Sequence, residues 1–141
     1  MDISTVAGVH LVATIFLAGM IVFVQVVHYP LMARVGASEW LDYEAHHKLR
    51  TGFVVIPTMI AELGSAVWLW ELTEGPDRSL VVLGLGLLGL IWLSTALVQA
   101  PAHGRLSVAF DERVHRWLVR TNWVRTIAWL ARVPIALMIA L

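Results

Sequence analysis

Two short runs carry the residue types from which a metal site can be built: Glu44-Ala-His-His47 and Glu112-Arg-Val-His115. In each, a glutamate and a histidine stand three apart, so on a helix both side chains share a face one turn apart. Helical bundles that hold two iron or manganese ions use that spacing on two of their four helices, and take one more glutamate from each of the other two. Here the corresponding residues are His28 and His103. The expected ligand set is therefore His28, Glu44, His47, His103, Glu112 and His115, richer in imidazole than those bundles. Neutral imidazole with carboxylate suits iron, copper or zinc, and one or two ions of iron or copper are the expectation. A haem between His28 and His103 is an alternative with no other mark of a haem pocket behind it. The plain alternative is no cofactor at all, the histidines gathering at a membrane interface where an apolar body with a polar tip is comfortable. His46 falls off the face of His47 and is left out.

The elements that must position these residues are membrane helices. Hydrophobic residues make up 59% of the 141-residue chain and charged residues only 14%, against roughly 45–50% and ~25% in soluble proteins. Mean hydropathy is +0.77. Net charge is zero, which speaks against nucleic acid as a partner. With no cysteine there is no disulfide, thiolate site or redox dithiol. Met-Asp-Ile-Ser-Thr lacks a basic signal-peptide start, so the first apolar run is expected to be retained.

Four runs can span the ~30 Å hydrocarbon layer: about 6–27, 50–71, 80–100 and 118–141. Pro30 is expected to end the first and Pro101 to perturb the end of the third, while Pro57 bends the second, whose helix starts at Glu39 or Trp40 with Ser38 as its cap. The expected fold is a single all-α domain, residues 1–141, an integral membrane four-helix bundle running up-down-up-down. Basic residues (Arg34, Lys48, Arg50, Arg105, Arg113, Arg116, Arg120 and Arg125) cluster around the first and third connectors, with only Arg78 near the opposite side. The positive-inside rule then puts connectors 28–49 and 101–117 in the cytoplasm, both termini outside, and the chain in the plasma (inner) membrane. Gly84, Gly86 and Gly89 on the third helix offer a face for close approach of a second copy.

Each span carries a polar stripe at helical spacing: His10, Thr14, Gln25 and His28 on the first, Glu44, His47, Thr51, Thr58, Glu62 and Ser65 on the second, Thr95, Gln99 and His103 on the third, and Glu112, His115, Asn122, Arg125 and Arg132 on the fourth. Interhelical hydrogen bonding explains the hydroxyls but not the ionisable pair. Glu62 follows Arg50, and Arg132 follows Arg120, by the same number of residues, or about 18 Å of helix. Both then sit at mid-membrane, where an unpaired charge costs ~2.5–3.5 kcal/mol on insertion scales. A buried Glu62–Arg132 ion pair is expected. At the cytoplasmic level the four helices bring the histidine–glutamate set together, with Gln25, Gln99, Asn122 and Arg125 just beneath. Trp123, with Trp92 and Trp129, sits deep enough to line a pocket for a flat apolar molecule.

Two stretches carry a resemblance. Leu17-Ala-Gly-Met-Ile-Val-Phe with Pro30-Leu-Met-Ala-Arg is similar to the glycine-containing first helix and closing proline of the anthrone oxygenase-like family of small four-helix membrane proteins. Gln99-Ala-Pro-Ala-His-Gly-Arg-Leu106 with Arg116-Trp-Leu-Val-Arg-Thr-Asn-Trp-Val-Arg-Thr126 resembles that family's Pro-x-x-x-x-Leu turn and its Trp-x-x-x-Asn-x-x-Arg-Thr helix. The resemblance implies an oxygen-using oxidoreductase acting on a lipophilic phenolic or polycyclic molecule, with Asn122 and Arg125 in its site. His28, the His46-His47 pair and His103 depart from the family pattern.

The functional expectation is a membrane-embedded, oxygenase-like oxidoreductase with a cytoplasm-facing polar pocket. In it His47, Arg125 and Asn122 act in catalysis, and Gln25, Gln99 and Trp123 bind a lipophilic substrate delivered from membrane lipid. Without a metal, His47 serves as general base. The alternative is a non-enzymatic membrane protein: a carrier or proton path using His10, Glu62 and Arg132, or an accessory scaffold subunit docking through the third helix.

Overall fold

The computed structural model describes all of residues 1–141 and contains no strand. Four helices are long and apolar enough to cross a membrane: α1 (Ile3–Met32), α2 (Trp40–Leu72), α3 (Gly75–Leu106) and α4 (Glu112–Ala140). Hydrogen bonds between helices fix their directions. His10 meets Ser65 and Thr14 meets Glu62 near one end of the α1–α2 seam, while His28 meets His47 at the other. Gly84 pairs with Arg132 and Gln99 with Thr121 across α3 and α4. α1 and α3 therefore run one way and α2 and α4 the other, each helix flanked by its two sequence or ring neighbours.

Short connections need helix ends that stop cleanly. Asp2 caps α1, its carboxylate accepting from Thr5 N at 2.8 Å. Those bonds hold its carboxyl down at about 2. Asp111 caps α4, accepting from Arg113 N at 2.7 Å and Val114 N at 3.2 Å. Replacing Asp111 by alanine leaves two donors of the first turn bare and is expected to cost about 1 kcal/mol; Asp111→Asn restores most of it in a denaturant titration of the purified protein. Gly75 turns the chain between α2 and α3 at φ 69°, a conformation open to glycine. Ser38 does not cap α2: the capping position falls on Glu39, with no side-chain bond. The start of α2 is held instead by Trp40, whose buried indole N–H donates at 2.7 Å to the carbonyl of Leu106 in the last turn of α3.

Neither Pro30 nor Pro101 ends its helix. Each follows a π-helical turn, Val24–His28 before Pro30 and Thr95–Gln99 before Pro101, and the helix then resumes to Met32 and to Leu106. A proline ring collides with the carbonyl four residues back. In both helices that carbonyl, of Val26 or Leu97, lies inside the widened turn, which moves it aside. The extra residue per turn also rotates everything that follows. The buried face of α1 passes from Gln25 to Tyr29 and Met32, leaving His28 beside it.

The interior is layered. Val6, Ala7, Leu69 and Val81 fill one end; Leu17, Ile21, Met59, Ile91 and Trp129 fill the middle; Tyr29, Met32, Trp40, Leu106 and Leu118 fill the other end. Outside, Val12, Phe53 and Leu97 are largely exposed, at 69%, 72% and 70%. An apolar exterior around a polar-striped interior is the reverse of a soluble bundle.

Candidate metal centre

Glu44 sits one turn into α2 on its inner face and is fully buried. Its Oε1 accepts from His103 Nδ1 at 2.8 Å, joining α2 to α3. One turn along α2, His47 Nδ1 lies 2.9 Å from His28 Nε2 and 3.1 Å from Thr51 Oγ1. Ligand atoms of Glu44, His47 and His103 all fall within 4.8 Å of one another, a group able to hold a metal ion. Two ligands on a tetrahedral ion at ~2.1 Å stand roughly 3.4 Å apart, so small side-chain rotations convert the hydrogen-bonded arrangement into a coordinating one. The ion would take the place of the proton between His103 and Glu44. Glu44 Oε2 supports that fit: it is a buried carboxylate oxygen with no hydrogen-bond partner.

His28 adjoins the group through His47, with ring centroids 4.5 Å apart, and is placed as a third imidazole. The second Glu-x-x-His run does not join it. Glu112 is exposed and pairs with Arg116. His115 is buried but donates from Nε2 to the carbonyl of Tyr29 at 3.0 Å, an acceptor left over in the last turn of α1. Glu112 stands in the first turn of α4, beyond the bundle, so helical spacing alone does not bring it inside. His46 is exposed and interacts with Asp42.

Two tyrosines complete the cluster and were not singled out by spacing. Tyr29 is buried with its hydroxyl 3.5 Å from His103 Nε2, and Tyr43 stacks on His47 with its hydroxyl 3.5 Å from His28 Nε2. The turn Val24–His28 puts Tyr29 on the inner face; the one sequence signal for it is Pro30, read as a point where helix geometry must change.

Beneath the cluster lies a cavity of about 100 Å³ bordered by Tyr29, His47, His103, Arg125, Trp129 and apolar residues of α1. A second cavity of about 350 Å³ opens along the α2–α3 seam and shares His47, Thr51, Val55, His103 and Arg125 with the first. Arg125 is 8% exposed, its Nε is buried without a partner, and no carboxylate comes within 4.0 Å of it. Its guanidinium lies 5.3 Å over the Trp129 ring, a contact that contributes far less than an ion pair would in a dry setting.

The remaining residues expected to orient a substrate divide. Gln99 borders the seam cavity and bonds Ser94 and Thr121. Gln25 is engaged between α1 and α4, donating to the Val119 carbonyl at 3.1 Å and accepting from Asn122 Nδ2 at 2.8 Å. Asn122 is fully buried with Oδ1 unpartnered. Trp123 is 47% exposed and points out of the bundle, one residue off the Asn122–Arg125–Trp129 face. Trp129, not Trp123, lines the cavity.

Arg132 gives the contrast. Its Nε donates to Glu62 Oε1 at 3.1 Å, its Nη1 to the Gly84 carbonyl, and its Nη2 lies 3.2 Å from His10 Nε2. Glu62 also accepts from Thr14 at 2.9 Å and Trp129 at 3.1 Å. This network touches all four helices and leaves no polar atom of Glu62 or Arg132 unpaired. Gly84 is used up inside it, while Gly86 and Gly89 are exposed on the other side of α3, so the three glycines do not form one face. Comparison with protein-family models, with curated proteins and with solved structures found no match to this chain.

Proposed function

We propose that the chain is an integral membrane oxidoreductase of oxygenase type, acting on a lipophilic phenolic or polycyclic molecule at a metal centre held by Glu44, His47 and His103. In this reading the bundle lies in the inner membrane with connectors 28–49 and 101–117 in the cytoplasm, supported by the run of basic residues at that end. One observation carries the chemistry: His47 and His103 of the three-ligand group border the same cavity as Arg125, a buried cation without an anion. A buried charge with no partner is costly, and an acidic hydroxyl or enolate of a substrate would supply the missing partner.

An iron or copper ion held by Glu44, His47 and His103 would supply electron transfer to oxygen. The chain's own residues do the rest. Arg125 binds the ionised substrate oxygen and holds its negative charge where it develops. Tyr29, hydrogen-bonded to His103, sits at the cavity wall where a proton leaves or returns. Leu17, Val55 and Trp129 take the apolar body of the substrate and exclude water. The seam between α2 and α3 gives access from the side, from lipid, which suits a molecule sparingly soluble in water. The resemblance to anthrone oxygenase-like proteins agrees with Arg125 at the site.

The carrier or proton-path reading has less behind it. It needs His10, Glu62 and Arg132 as mobile relay groups, yet these are tied into a closed network, and Leu17, Ile21, Met59 and Ile91 lie between it and the histidine cluster. For the enzyme, protein purified without added metal is analysed for bound elements, and oxygen uptake is followed with a lipophilic phenol such as anthrone. About one iron or copper per chain is expected. Arg125→Leu keeps that metal and loses about 10²–10³ in turnover. Substoichiometric metal after reconstitution, or full turnover by Arg125→Leu, rules the reading out.

A further inference from the structure

Away from the metal centre, a groove of about 420 Å³ runs along the outer α3–α4 seam. Leu97, Pro101 and Arg105 line it from α3, one residue per turn, and Arg113, Val114 and Trp117 line it from α4. Eight residues separate Leu97 from Arg105, about 12 Å along the helix. Over that length the wall changes from apolar to cationic. Neither arginine has a carboxylate within 4.0 Å. The acids next to them in sequence are engaged elsewhere: Asp111 caps α4 and Glu112 pairs with Arg116.

Two guanidinium groups without an anion, at the polar end of helices built to cross a membrane, stand above an apolar wall that leads inward. That order of polarity matches one ligand class. We propose that this groove binds an anionic phospholipid, its phosphate held between Arg105 and Arg113 and the start of its acyl chain laid along Pro101, Leu97 and Trp117. The inference rests on the membrane reading of the four helices and is independent of the oxidoreductase reading. Trp117, half exposed beside the arginines, suits the headgroup level. A free phosphate ion would use the arginines alone and leave the four hydrophobic lining residues without a role.

Native mass spectrometry of the full chain in detergent, with added phosphatidylglycerol, phosphatidylcholine of the same chains, or inorganic phosphate, tests it. The wild type is expected to retain phosphatidylglycerol over phosphatidylcholine by roughly tenfold or more. Arg105→Gln/Arg113→Gln loses that preference, and Arg34→Gln/Arg50→Gln, which removes equal charge on the other helices, keeps it. Equal preference in the two double variants overturns the site, as does release of the lipid by inorganic phosphate at the same concentration. Extraction of the protein from membranes by alkaline carbonate overturns the membrane reading itself, and with it this inference.

Discussion

Glu44→Gln is expected to empty the metal centre while leaving the bundle folded. Glutamine fills the same volume and its carbonyl oxygen still accepts from His103, so the α2–α3 contact survives. What goes is the negative charge, the one anionic ligand among imidazoles. Changing an outer-shell partner of a metal ligand already costs about 10–100-fold in affinity, so loss of the charged ligand itself should cost at least about 100-fold. Measured by equilibrium dialysis against a chelator of graded strength, the variant should hold no iron or copper at concentrations that saturate the wild type. Glu112→Gln is the matched control, since Glu112 is exposed and bound to Arg116, and it should bind metal as the wild type does. Because His47 and His103 must be neutral to ligate, protons compete with the ion, and acidification should release it from the wild type. Identical metal binding by Glu44→Gln and Glu112→Gln would move the site elsewhere.

The residues that sequence placed well are those whose position depends only on counting along straight helices. Glu44 and His47 share a face because they lie in one uninterrupted helix. Glu62 and Arg132 meet because two parallel helices, counted equally far from the same end, arrive at the same level. Counting fails where the period changes. The widened turns at Val24–His28 and Thr95–Gln99 each add a residue, so a stripe followed at constant spacing through Gln25 reaches His28 when Tyr29 is the residue that turns inward. It also fails at ends: Glu112 has the right spacing to His115 but starts its helix outside the packed layers. Trp123 shows a third limit, because depth in the membrane does not say which side of a helix a residue faces. The lack of a partner for Arg125 and for Glu44 Oε2 is a property of three-dimensional surroundings, and no pattern in the chain announces it.

That distinction between satisfied and unsatisfied polar groups makes the second large prediction. The Glu62–Arg132 pair is buried and complete: Thr14 and Trp129 hold the carboxylate, and His10 and the Gly84 carbonyl surround the guanidinium. Arg132→Leu strands the Glu62 charge, and breaking one side of such a pair costs about 3–5 kcal/mol. Glu62→Leu strands the arginine at similar cost. The double variant Glu62→Leu/Arg132→Leu removes both charges and fills the space with apolar side chains, so it should be far less destabilised than the sum of the singles, and more stable than either. Unfolding in mixed micelles, followed by tryptophan fluorescence, measures all three. Additive losses would mean the two side chains do not act as a pair. The double variant also separates structural from functional roles. If the network only clamps the four helices together, the double variant keeps the metal binding and oxygen uptake proposed above, even though Trp129 at the cavity wall loses its Glu62 acceptor. If it folds and binds metal but is inactive, Glu62 and Arg132 take part in the reaction, and the division between a closed clamp and an open site is wrong.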